Sequence, residues 1–129
     1  MEPRKGARAY QKVAVVSASP GRILDDLFER AILECERARE CIGNRDTSGK
    51  AKAVAKVIEI VSTLQAALDH SVVPAISQDL ARLYGFVHEA TIKGSARLDT
   101  ASLEHAERIL GILKSAFAEA TEIVEKESR

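Results

Sequence analysis

AYQKVAVVSASPGRILDDLFERA, residues 9–31, changes pattern in its middle. Before the change, Tyr10, Val13, Val15 and Val16 form a short apolar strap, too brief for periodicity to separate a helix from an extended segment. After it, Leu24, Phe28 and Ala31 begin a series that continues through Cys35, Ala38 and Ile42 at spacings of four and three, which is one face of one helix. Ser19 suits the N-cap, because its hydroxyl can accept from an otherwise unpaired amide. Pro20 suits the first helical position, where no amide is needed. The helix is predicted over about residues 20–42, stopping at Gly43-Asn44, which tolerate the left-handed conformation of a helix end.

The same rhythm recurs outward from there. Val54, Val57, Val61, Leu64 and Leu68, with Ile58 beside them, predict a second helix over about 47–69. Lys50, Lys52 and Lys56 crowd its first half and oppose the helix dipole, so they read as a solvated face or a partner contact and not as stabilising groups. Pro74 opens a third helix, about 74–93, with the stripe Ile76, Leu80, Leu83, Val87 and Ala90 and a stop near Gly94. A fourth, about 99–126, starts at the cap Asp99, with Leu98 placed to staple onto Leu103. Its stripe of Leu103, Ala106, Leu110, Leu113, Phe117, Ala120 and Val124 is the most regular in the chain. Residues 1–8, with Pro3, Gly6 and three basic groups, read as a disordered start, and 9–17 as the strap. Four helices joined by short turns make antiparallel neighbours. The expected fold is all-α, an antiparallel up-down four-helix bundle with a short N-terminal strap or helix, one domain over residues 1–129.

Apolar residues make up 46% of the 129, enough for one core without disulfides or metals. Nineteen basic and nineteen acidic side chains cancel, so no global field draws the chain to nucleic acid or an anionic membrane. No uncharged run is longer than nine residues, the length of Val13–Gly21 and Ile60–Leu68, far short of the ~20 residues a membrane span needs. Cys35 and Cys41 lie six residues apart on one helix, too far along its axis to bridge, which suits a reducing compartment. A cytoplasmic location is expected.

No constellation of catalytic groups stands out. His88-Glu89 lacks a second histidine at metal-binding spacing, no glycine-rich phosphate loop follows a strand, and no serine or cysteine pairs with a base. No cofactor or metal is expected. A histidine phosphotransfer domain is a remote alternative, because Lys93 follows His88 by five residues, about 140° around the helix, and cannot neutralise a phosphoryl group there. The informative feature is surplus apolar surface. Ile109, Ile112, Ala116 and Ile123 flank the fourth stripe, Ile23 and Leu27 flank the first, and Leu33 lies opposite. Such residues widen a buried face or form a groove for an amphipathic partner helix.

Tyr10-Gln11, then Ser19-Pro20 opening a helix with Leu24, Leu27, Phe28 and Ala31, resemble the flagellar secretion (export) chaperones of FliS type. So do Leu64-Gln65-Ala66-Ala67-Leu68-Asp69 and Leu80-Ala81-Arg82-Leu83-Tyr84-Gly85-Phe86-Val87, in order and with compatible spacing over about residues 9–120. The chain departs from the family pattern at Phe28, which keeps a ring but not a tyrosine hydroxyl, at Phe117, where a tryptophan is common, and at Gly85 after Tyr84. The resemblance implies a non-enzymatic, cytoplasmic export chaperone that binds the disordered C-terminal segment of flagellin and prevents premature polymerisation before type III secretion. It implies a client contact at Tyr10 on the strap and at Leu24, Leu27, Phe28 and Ala31, beside the flank residue Ile23. Leu64, Leu68, Leu83 and Tyr84 match family positions that serve equally as core. Other flagellar export components and a second copy of the chain are further candidate partners. A helical adaptor or self-assembling bundle is the alternative from another class.

Overall fold

The computed structural model describes residues 21–71 and 74–127, with side chains as far as Glu119. The strap with Tyr10, the Ser19-Pro20 start and the first eight residues lie outside the described residues, as do the side chains of Ala120, Ile123 and Val124. Four helices follow one another: α1 (Gly21–Gly43), α2 (Thr47–Ala66), α3 (Pro74–Arg97) and α4 (Thr100–Glu127). Each packs on its neighbour in sequence, and α4 closes the ring against α1, giving an all-α four-helix bundle with no strand among the described residues.

Three of the four apolar stripes point inward as spaced. Leu24, Phe28, Ala31, Cys35 and Ala38 of α1 are buried, as are Val54, Val57, Val61 and Leu64 of α2 and Leu103, Ala106, Leu110, Leu113 and Phe117 of α4. Phe28 and Phe117 meet at the centre of the α1–α4 contact with ring centroids 5.5 Å apart and planes tilted by 49°. In α3 the buried face is turned from the expected one. Ser77, Leu80, Tyr84, Val87, Thr91 and Gly94 face the core, while Ile76, Leu83 and Ala90 pack at its edge. The two hydroxyls that hid this register are satisfied within the helix: Ser77 donates to the Pro74 carbonyl at 3.1 Å and Thr91 to the Val87 carbonyl at 2.7 Å.

Helix ends also differ from expectation. α1 does not use Gly43 or Asn44 as its left-handed residue; Arg45 takes that role with φ 57°. The Asp46 amide then donates to the Cys41 carbonyl at 2.8 Å and the Arg45 amide to Ile42 at 3.2 Å, the paired bonds of a Schellman stop. α3 runs through Gly94 to Arg97, and Leu98 is left-handed with φ 54°. The Asp99 amide bonds the Gly94 carbonyl at 3.0 Å. Gly94 is there for packing, since a Cβ on it would lie 2.7 Å from Leu103 Cγ and 3.1 Å from the Asp99 carbonyl oxygen. Leu98, expected to staple onto Leu103, is 60% exposed. α2 ends at Ala66, three residues early, because the Ala67 and Leu68 amides turn back onto Thr63 and Gln65. Leu68 still reaches the core from beyond the helix.

Each left-handed residue is followed by an aspartate that caps the next helix. Asp46 Oδ1 accepts from the Gly49 amide at 2.9 Å, and Asp99 Oδ1 accepts from Ala101 at 3.1 Å and Ser102 at 3.4 Å. The Ser102 hydroxyl donates to Asp99 Oδ2 at 2.9 Å, and this bond, with the amide donors, holds the Asp99 carboxyl below its ordinary pKa. The α1–α2 and α3–α4 turns thus share one design and sit at the same end of the bundle.

Candidate partner-binding surfaces

The bundle's seams are closed in different ways. Across α1–α4, the Arg39 guanidinium grips Glu107 at 2.5 and 2.9 Å and reaches Glu104 at 3.6 Å. The Glu107 bond holds Arg39 above its ordinary pKa. Lys114 bridges Asp25 at 3.5 Å and Glu29 at 3.7 Å on the same seam. On α1 itself Glu34 is buried, with one carboxylate oxygen 3.2 Å from Arg37 and 3.8 Å from Arg30 and the other without a hydrogen-bond donor. Cys35 beside it is buried too, and burial, reinforced by the charge on Glu107, pushes its thiol up to about 12. Such a thiol is inert and structural.

Across α2–α3 no ion pair is found among the described residues. Gln65 donates to the Ala81 carbonyl at 3.3 Å near one end, and Lys50 to the Ser95 carbonyl at 3.0 Å near the other. Between them a groove of about 600 Å³ opens beside Val61, Ser62 and Ala66 of α2 and Gly85 and His88 of α3. A second cleft, about 430 Å³, lies at the turn end of α3–α4 between Phe86, Ala90, Ala101 and His105.

The residues expected at a client contact divide sharply. Leu24, Phe28, Ala31, Leu64, Leu68 and Tyr84 are in the core, and Leu27 and Leu83 pack against it. Burial alone pushes the Tyr84 hydroxyl up to about 12. Ile23 is 50% exposed on the first turn of α1, and Tyr10 lies outside the described residues. Of the surplus apolar residues, Ile112 is 64% exposed, Leu33 and Ala116 are exposed, and Ile109 packs against the core. Two exposed side chains went unread in the sequence, Phe86 and Ile92 on α3. Placing Tyr84 inward turns Phe86 outward, so the α3 register was the signal that would have found it, whereas Ile92 lies off the buried face in either register. Among the described residues no group of three or more histidine, cysteine, aspartate or glutamate side chains could hold a metal, and no helix is long and apolar enough to cross a membrane.

A four-helix bundle whose polar groups serve helix caps and ion pairs, and which leaves large apolar side chains in water on several faces, has the form of a helical protein-binding module. The family model for flagellar protein FliS matches residues 3–124, and the chain belongs to that family. The flagellar secretion chaperone FliS of Salmonella typhimurium is 30% identical over 122 residues, 91% of this chain and 90% of the relative. The flagellar secretion chaperone FliS of Escherichia coli K12 is 26% identical over 125 residues, 93% and 92% of the two chains. A chaperone role in flagellar export follows from this membership.

Proposed function

We propose that the protein is a non-catalytic cytoplasmic chaperone whose client is the disordered C-terminal segment of flagellin, held unpolymerised until type III secretion. The observation that carries this reading is the family match along nearly the whole chain to relatives named flagellar secretion chaperones. The exposed Ile23, Phe86, Ile92 and Ile112 are consistent with it, being apolar surface that a folding client can cover. The client loses conformational entropy on docking, and burial of its apolar face offsets that free-energy cost. Tyr10 and the strap from Ala9 to Val16 occupy part of that surface in the unloaded state and yield to the client. Ile23, with Leu27 behind it, receives the client on α1. Leu24, Phe28, Ala31, Leu64, Leu68 and Tyr84 support that surface from inside, and Leu83 from its edge.

Calorimetric titration with a peptide of about 40 residues from the C-terminus of the same organism's flagellin tests the reading. Saturable binding with a negative heat-capacity change and a gain of helicity is expected, and Tyr10→Ala should tighten it if the strap competes. No heat and no helicity gain at tens of micromolar would sink the proposal and favour the adaptor class.

A further inference from the structure

We propose that the turn end of the bundle is a second docking site, which takes an acidic side chain flanked by an aliphatic one from an extended segment of another protein. The first observation is what occupies the two left-handed positions. A side chain is strained there and glycine would serve the fold better, yet Arg45 holds φ 57° and Leu98 φ 54°. Leu98 is also mostly exposed, so neither backbone preference nor burial accounts for it. Both residues line one cavity of about 110 Å³, walled by Cys41 and Ile42, where the α1–α2 and α3–α4 turns meet. Lys50, which also lines it, donates to the Ser95 carbonyl at 3.0 Å and ties α2 to the end of α3. The site is therefore built before any partner arrives.

The second observation is charge. Elsewhere on the bundle Arg30, Arg37, Arg39, Arg82 and Lys114 each face a carboxylate within 4 Å. Arg45 and Lys50 form no ion pair among the described residues, and Lys50 keeps two N–H donors beyond its bond to Ser95. The one carboxylate in the lining, Asp46, is already engaged in the α2 cap, with Oδ1 on the Gly49 amide and Oδ2 facing the Cys41 thiol. Two cations against one engaged carboxylate leave the cavity net positive, with free donors in its wall, and that arrangement suits an anion. Liquid water takes about 30 Å³ per molecule, so the space holds a few waters or one short side chain and excludes a helix. A carboxylate side chain fits it, and an aliphatic neighbour on the same segment covers Leu98. A bilayer is disfavoured, because the chain's formal charges sum to zero and set up no field toward an anionic surface. The site goes beyond the client reading: it shares no lining residue with the α2–α3 groove or the α3–α4 cleft, so a partner there need not displace a client.

The isotope-labelled full chain is titrated in an NMR tube with the blocked tripeptide acetyl-Leu-Asp-Leu-amide, its Leu-Asn-Leu counterpart, and phosphatidylglycerol vesicles. The acidic peptide is expected to shift the amides of Arg45, Lys50 and Leu98 saturably at about 10 mM, and the Asn counterpart to bind about five-fold more weakly. Arg45→Gly and Leu98→Gly relieve the left-handed strain, so each should raise the denaturant midpoint while weakening the acidic peptide about five-fold. Residues kept for the fold alone would not show that opposition. No shift from the acidic peptide at about 10 mM, equal binding of the two peptides, or binding untouched by both substitutions overturns the proposal. So does a lower midpoint in both variants, which would place the two side chains in the service of the fold. Shifts at the same amides from vesicles alone would assign the turn end to a membrane and overturn it as well. None of these outcomes bears on client binding, which the flagellin peptide tests separately.

Discussion

The α1–α4 and α2–α3 seams are built from the same kind of helix and closed in opposite ways. The first joins an aromatic pair, Phe28 on Phe117, to ion pairs at Arg39 and Lys114. The second is held by single side-chain-to-carbonyl bonds toward its ends, with a groove beside Gly85 between them. Closing a ring of four helices needs every seam to exclude water from the core, but only some need to be fastened beyond that. The difference teaches that this bundle concentrates its internal fastening on one side and leaves the other side more open.

The largest test of the comparison is Phe28→Ala. The ring is fully buried against Phe117, and removing it leaves a cavity that the closed seam cannot collapse into; a loss of about 3–5 kcal/mol is expected in urea unfolding. A loss below about 1 kcal/mol would mean that the α1–α4 seam is not where stability resides.

Glycine gives the next contrast, because two glycines of α3 should respond with opposite sign. Gly94→Ala drives a methyl into Leu103, which is fully buried and has nowhere to move, at a cost of about 1–3 kcal/mol. Gly85→Ala adds a methyl in open space and restricts the unfolded chain, a gain of about 0.4–1 kcal/mol. Paired denaturation curves read both. Equal effects would remove the argument that Gly85 is unneeded by the fold.

Smaller still is the ion pair. A double-mutant cycle on Arg39 and Glu107 should give about 0.5–1 kcal/mol of coupling, discounted because the Arg39 side chain keeps 32% of its surface in water, and the coupling should shrink as salt rises. Lys52 paired formally with Glu59, seven residues along α2 itself and with no ion pair between them, should give no measurable coupling.

How much of this could be read from residues alone follows from which forces leave a periodic trace. The α1, α2 and α4 stripes were legible because Leu24, Val57, Leu110 and their neighbours repeat at helical spacing, and among the described side chains all but the half-buried Ile42 are buried. The α3 register was not, because Ser77 and Thr91 bury hydroxyls by bonding their own helix, which an apolar pattern cannot register. The first helix ends at Gly43 as expected, though Arg45 is its left-handed residue; the α3 stop was misplaced because Leu98 adopts a conformation usually left to glycine, while Gly94 was set by packing. At the candidate site, spacing identified apolar residues without separating Phe28, inside, from Ile23, outside. That division depends on where α2 and α4 lie across from α1, information held in no single helix. The exposed Phe86 was missed for the same reason as the α3 register.

The turn end offers the mildest test, since its two left-handed residues and two aspartates serve both seams alike. Leu98→Gly relieves a conformation that a branched side chain adopts reluctantly; Leu98 is mostly exposed, so little packing is lost and a gain of about 0.5–1 kcal/mol is expected. The following Asp99 adds a pH signature. Its folded pKa lies below the ordinary 3.8 because Ser102 donates to it, so its contribution to stability is fully present above the unfolded carboxylate pKa and is lost as pH falls through the folded value. Asp99→Asn keeps an acceptor for the helix amides but cannot titrate, so its unfolding midpoint should fall less steeply than the parent's as pH drops below about 4. The same substitution at Asp46, whose cap bonds one amide only, serves as the comparison. If Asp99→Asn leaves the acid limb of the stability curve unchanged, the Ser102 bonds do not act on folding, and the α3–α4 turn owes its order to Gly94 against Leu103 alone.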